Sequence, residues 1–210
     1  MGVGPSGYRY DVFLSYSRIQ QWPRWVDAHF LPIVSHWLSA ELGRDVSIFQ
    51  DVRGVEVGQR WTEELECGLA ASRIMISLWS KSYFRSDWCV RELGSALARA
   101  DRMRSLGLSG RVVFPVAVHD SDPTDLPEPA RALQYERIQE YSDPFTHPHS
   151  PLRESLSRTL QVMCKQAARE ISTLPDDTFA WPMADCGGYV RRLRVDPTAQ
   201  LSRPTLGVSA

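Results

Sequence analysis

The sequence predicts an α/β fold in which a parallel sheet is covered by crossover helices. Three observations lead there. Short runs that are apolar on both faces recur along the chain, segments of helical periodicity separate them, and 210 residues at 43% hydrophobic content are enough for one sizeable core. Strands covered by helices on both sides read as unbroken apolar runs rather than as alternating ones.

The first run is Tyr10-Asp11-Val12-Phe13-Leu14-Ser15-Tyr16; Val46-Ser47-Ile48-Phe49, Arg73 to Trp79 and Val112 to Val118 are the next three. A weaker fifth strand is expected through Tyr135-Glu136-Arg137-Ile138. Between the first two, Trp22, Trp25, Val26, Phe30, Ile33, Val34, Trp37, Leu38 and Leu42 recur at three- and four-residue intervals, and Gly43 follows as a helix stop. Pro32 lies inside this pattern. It lacks an N–H and crowds the preceding turn, so it kinks or breaks the helix, or else Pro23 and Pro32 each open a helix of their own. Trp61, Leu65, Gly68 and Leu69 mark a second helix, and Cys89, Leu93, Ala96 and Leu97 the buried side of a third. Ser150-Pro151 reads as a cap and first-turn proline ahead of Leu152, Leu156, Leu160, Met163, Ala167 and Ile171. Past Ile171 the periodicity stops. The chain is therefore divided into a flexible segment at 1–8, a domain at 9–172 and a tail or linker at 173–210, with one short candidate strand from Tyr189 to Val195.

Composition excludes several functions. A net charge of −1 with scattered arginines provides no field for nucleic acid or an anionic membrane. The apolar runs fall well short of the roughly 18 residues that a membrane helix needs, and residues 1–7 lack the basic-then-apolar pattern of a secretory signal, so a cytoplasmic location is expected. Cys67, Cys89, Cys164 and Cys186 are too far apart for a C-x-x-C site and are expected to be reduced thiols. His147 and His149 flank a proline without matching ligands, and no metal is expected.

Three segments carry the chemistry: Asp11 to Arg18 at the first strand, Ile48-Phe49-Gln50-Asp51 with Val55 to Gly58 after the second, and Ser82 to Leu93 after the third. Each follows the carboxyl end of a strand. In open parallel sheets ligands bind at that edge, so three polar, aromatic-bearing loops meeting there would build a binding crevice.

In order and spacing these segments resemble the Toll/interleukin-1 receptor (TIR) domain family, from the D-V-F-L-S-Y opening at Asp11–Tyr16, through F-x-D at Phe49–Asp51 with Gly58, to Trp88-Cys89-Val90-Arg91-Glu92-Leu93. The resemblance runs from about Tyr8 to Ile171. It implies a flavodoxin-like fold of five parallel strands with helices on both faces. It also implies one of two functions. Some members signal by TIR–TIR association; others cleave the nicotinamide–ribose bond of NAD, giving ADP-ribose or a cyclic isomer, as in bacterial antiphage immunity. In the enzymes the essential glutamate lies four residues after a tryptophan, as Glu92 follows Trp88. Arg18 resembles the basic residue on the nicotinamide side of the pocket, with Tyr16, Ser15 and Asp51 at its margin. NAD is then a substrate and no cofactor is implied. Self-association, filamentous on activation, and a fused or partner sensor domain are the partners implied, the loop from Gln50 to Arg60 serving assembly.

The chemistry stands without the family. Breaking the N-glycosidic bond develops positive charge on the ribose, which an aligned carboxylate stabilises. Nicotinamide in NAD is already cationic and departs neutral, so no general acid is needed. Trp88 and Glu92, at i and i+4, share one helix face near an N-terminus that Ser86 or Asp87 could cap. Out of context each residue has a plainer reading: Glu92 as a solvated first-turn glutamate, Trp88 as a core anchor, Arg18 as a surface residue, Asp51 as a turn former, Ser15 and Tyr16 as strand packing. Cys89 reads as packing rather than as a nucleophile, because no histidine lies near it in sequence.

Overall fold

The computed structural model describes residues 7–19, 21–50, 67–122, 124, 126–147, 150–175 and 186–195. Five strands form one parallel sheet: β1 (Tyr10–Tyr16), β2 (Ile48–Gln50), β3 (Ser72–Trp79), β4 (Val113–Ala117) and β5 (Glu136–Arg137), in the order β2-β1-β3-β4-β5. That is the flavodoxin-like order, and its topological switch point lies between β1 and β3. From Asp11 to Tyr16 every β1 residue is buried, as the unbroken apolar run requires of a strand covered on both faces. The second strand, expected at Val46–Phe49, is shifted to Ile48–Gln50, and the fifth is trimmed to two residues.

Pro23 and Pro32 each lie in the first turn of an α-helical segment, as one of the two expected readings has it, but the two segments are joined by a widened turn rather than separated by a break. α1 (Trp22–Trp25) passes through a π-turn, Val26–Phe30, into α2 (Leu31–Leu42) without interruption. The widened turn lets the Leu31 N–H reach the Val26 carbonyl, five residues back. The Ala28 carbonyl, whose helical partner would have been the missing N–H of Pro32, instead accepts a hydrogen bond from Arg153 Nη1 at 3.0 Å. Gly43, at φ 67°, ends α2 in the left-handed conformation that a Cβ would penalise.

Residues 67–70 are helical; Trp61 and Leu65, expected in the same helix, lie outside the described residues. α3 (Asp87–Ser105) follows β3, and its buried side holds Cys89, Leu93, Ala96 and Leu97 as the spacing predicts. α4 (Glu128–Arg131) is a single turn before β5, and α5 (Pro151–Thr173) opens on Ser150, whose side chain accepts from the Leu152 N–H. α5 packs along α2, while α3 lies against β1 and β4.

The expected strand at Tyr189–Val195 is instead a helix, α6 (Gly187–Leu193), docked on α3 and α4. Tyr189, Val190 and Leu193 fall on one helical face, and Leu193 is fully buried. The contact depends on Gly94 of α3, where a Cβ would come within 3.3 Å of Tyr189 Cβ and 3.4 Å of Val190 Cγ2. Past α6, Arg194 pairs with Asp87 at 2.5 Å and the Val195 N–H donates to the Phe84 carbonyl. Residues 186–195 thus run as a strap along α3, from Asp101 back past Gly94 to Asp87 at its start. Among the described residues, no helix is long and apolar enough to cross a membrane.

Candidate active site at the β1–β3 switch

Strand alternation decides what β1 delivers to each face. Leu14 and Tyr16 turn one way and Ser15, between them, turns the other, toward α3. There Ser15 Oγ donates to Glu92 Oε2 at 2.5 Å, a separation characteristic of hydrogen bonds to carboxylates. Tyr83, in the 3₁₀ turn Tyr83–Arg85 after β3, places its hydroxyl 2.9 Å from the same Ser15 Oγ. The single hydroxyl proton of Ser15 is engaged by Glu92, so Tyr83 is the donor in that second bond. Ser15 and two side chains 68 and 77 residues further along the sequence therefore form one buried chain, Tyr83 to Ser15 to Glu92.

Glu92 departs from the plain reading of a solvated first-turn residue. α3 begins at Asp87 with Ser86 as its N-cap, the Ser86 hydroxyl accepting from the Cys89 N–H at 3.4 Å. Glu92 therefore lies in the second turn, beyond the strongest reach of the helix dipole, and is only 8% exposed. Buried charge requires hydrogen-bonded partners, and Ser15 is one. Burial first, and then the neighbouring Cys89 and Glu92, raise the Tyr83 phenol well above its ordinary value, so it stays protonated and able to donate. The Cys89 thiol is likewise raised by burial and by Glu92, against the nearby Arg18 charge. A thiol so held is no nucleophile, as its reading from sequence expects.

The other expected site residues are placed as follows. Trp88, one turn before Glu92, is half-buried against the core, and the Arg91 guanidinium carbon stands 5.7 Å from its ring centre. Core anchor and pocket wall are both compatible with that position. Arg18 follows the end of β1, half-buried, its guanidinium carbon 5.8 Å from the Tyr16 ring. Tyr16 is buried, and its hydroxyl accepts from Gln50 Nε2 at 3.0 Å; the same amide nitrogen donates to Asp27 Oδ1 at 2.9 Å. Tyr16 thus ties β1 to β2 at the carboxyl edge. Asp51 and the loop through Arg60 lie outside the described residues. A cavity of about 650 Å³ past the ends of β4 and β5, lined in part by Lys81, His119, Asp120 and Arg137, and another of about 630 Å³ between α2 and α5, do not include Glu92.

Reading from sequence missed Tyr83, and treated Ser15 as peripheral. Both lie inside the motif segments, at the positions where β1 and β3 run out, which was the available signal.

At the opposite end of β1, Asp11 opens the D-V-F-L-S-Y segment with a structural task. Arg44 grips it with two nitrogens at 2.6 and 2.7 Å, and the Ser47 N–H adds a third bond at 2.9 Å. Burial pushes this carboxyl up, but the Arg44 and Ser47 hydrogen bonds outweigh it and hold the group below its ordinary value.

A family model described as TIR domain matches residues 12–148. The disease resistance protein RPP5 of Arabidopsis thaliana is 32% identical over 118 residues, which cover 56% of this chain and 7% of that protein, so the chain spans a small part of its relative. Among solved structures, the TIR domains in the activated Roq1 resistosome directly recognizing the pathogen effector XopQ align over 88% of this chain and 96% of that one, at 20% identity and a TM-score of 0.38.

Proposed function

This chain belongs to the TIR domain family, and on that premise we propose that it cleaves the nicotinamide–ribose bond of NAD, with Glu92 as the catalytic carboxylate. One observation carries the reading: a glutamate drawn into the protein at the switch point of a parallel sheet and held there by Ser15 at 2.5 Å, 8% exposed, where a solvated helical glutamate would need neither burial nor a partner. The carboxyl edge at a switch point is where open α/β sheets bind nucleotides.

In this mechanism the C1′–N bond breaks heterolytically and its electron pair goes to nicotinamide, which leaves neutral. Positive charge shared by C1′ and the ring oxygen is stabilised by the Glu92 carboxylate, whose position is fixed before the substrate arrives, so no reorganisation is needed as the charge develops. Trp88 offers an aromatic wall to a ring of the nucleotide and Arg18 a cation on the nicotinamide side. Water, giving up a proton to solvent, or a nucleophilic atom of the same nucleotide then bonds to C1′, and the linear or cyclic product follows from which arrives first. Asp51 is assigned to the margin of this pocket. The setting we propose is immune signalling, in particular a bacterial antiphage system, with self-association as the activating step.

Incubation with NAD at concentrations that allow self-association, followed by mass analysis, tests the activity. Release of nicotinamide with ADP-ribose or its cyclic isomer is expected. NAD retained intact would contradict the reading and leave a TIR–TIR interaction module, which requires no carboxylate at position 92.

A further inference from the structure

We infer that Tyr83 is a positioning residue for Glu92, acting through Ser15; as a role in catalysis this rests on the NAD-cleaving reading. Glu92 has no covalent reason to face β1. One contact that holds it there is a hydrogen-bonded chain: the Tyr83 hydroxyl stands 2.9 Å from Ser15 Oγ, and Ser15 Oγ donates to Glu92 Oε2 at 2.5 Å. With Glu92 ionised, Tyr83 is the donor to Ser15, because a carboxylate only accepts and Ser15 has one proton. A serine hydroxyl alone rotates among acceptors, and the carbonyls of its own strand are within its choice. With the phenol occupying its acceptor side, it keeps a single orientation, and the donation it receives strengthens the one it makes.

The three residues come from β1, the turn after β3, and α3, so the chain also fixes how α3 sits on the sheet. Tyr83 is fully buried, with its ring 5.3 Å from that of Phe84, and Ser15 is 2% exposed. Tyr83 therefore acts without touching substrate. A Tyr83→Phe substitution keeps the ring and removes only the donor, which makes the inference testable without excavating the core. Among the described residues, Tyr83 and Cys89 are set electrostatically against Glu92, both kept protonated by burial, with Arg18 beside Cys89.

The experiment follows wild type, Tyr83→Phe, Ser15→Ala and the double variant by two readouts: steady-state NAD cleavage, and the NMR titration of the ¹³C-labelled Glu92 side-chain carboxyl. Tyr83→Phe is expected to lower kcat roughly tenfold, the value of one buried hydrogen bond, with KM within about twofold. Ser15→Ala is expected to raise the Glu92 titration midpoint by about one pH unit, since losing a donor destabilises the charged form. Tyr83→Phe should raise it by less. In the double variant both readouts should match Ser15→Ala alone, because the phenol has nothing left to act through. Additive effects, or a Tyr83→Phe variant equal to wild type in both readouts, would overturn the inference. Absence of turnover in wild type removes the NAD reading, while the titration still decides whether Tyr83 controls Glu92, so the two failures are distinguishable.

Discussion

Ser15 and Glu92 meet across 2.5 Å at the boundary between β1 and α3, and this contact converts a helical glutamate into an internal one. Each residue explains the other. A serine that is 2% exposed in the middle of an apolar strand needs a hydrogen-bond partner, and a buried carboxylate needs a donor.

The cysteines differ in reactivity in a way that follows from their surroundings. Burial raises the Cys164 thiol to about 12, and burial with Glu92 raises Cys89 further, whereas Cys67 is exposed. Alkylation by iodoacetamide at pH 8, read by mass spectrometry, should modify Cys67 first and leave Cys89 and Cys164 unlabelled until the protein is denatured. Rapid labelling of Cys89 in the folded chain would contradict the packing around Glu92.

The Asp11 clamp predicts a pH dependence. A carboxyl held below its unfolded value contributes stability that is fully present above about pH 4 and is lost as pH falls through the lower, folded value. Arg44→Ala should therefore lower the melting temperature at pH 7, and the difference from wild type should shrink as pH approaches 3. A difference independent of pH would assign the Arg44 effect to packing of its stem instead. Arg44 is half exposed, so the effect should also weaken in high salt.

Docking of α6 is a claim about residues 186–195 that hydrogen exchange can check. Leu193→Ala removes a fully buried side chain, a change worth about 2–5 kcal/mol in a well-packed site, and should speed exchange through 187–195. The Val195 amide, bonded to the Phe84 carbonyl, should lose protection with it while the β1 and β3 amides keep theirs. Uniform loss of protection would show that the strap and the sheet unfold as one unit.

Local pattern revealed most of the fold. Five strands, a cap at Ser86 or Asp87 and one at Ser150, the stop at Gly43 and most of the buried faces of α3 and α5 follow from periodicity and end chemistry, which are properties of neighbouring residues; Leu152, in the first turn of α5, is exposed where the pattern expects it buried. Three features depend on distant partners and were not legible. Tyr189-Val190 favours a strand by residue type, yet it is helical where it packs over Gly94. Pro32 is tolerated through a π-turn because Arg153, 121 positions later in the chain, captures the Ala28 carbonyl. The burial of Glu92 likewise depends on Ser15 and Tyr83, which its own segment, read as a helix, could not indicate. At the site, motif spacing names Glu92 and Trp88 as candidates and resemblance names Arg18, whereas neither names Tyr83, because an aromatic residue next to Phe84 in a turn reads first as packing.

The most direct test of the central claim is the rate of nicotinamide release from NAD by wild type and by Glu92→Gln, compared at equal concentration after circular dichroism shows both folded. The amide keeps the shape of the side chain and removes its charge. If Glu92 stabilises the ribosyl cation, release by the variant should fall by at least about two orders of magnitude. Release at the wild-type rate would contradict it.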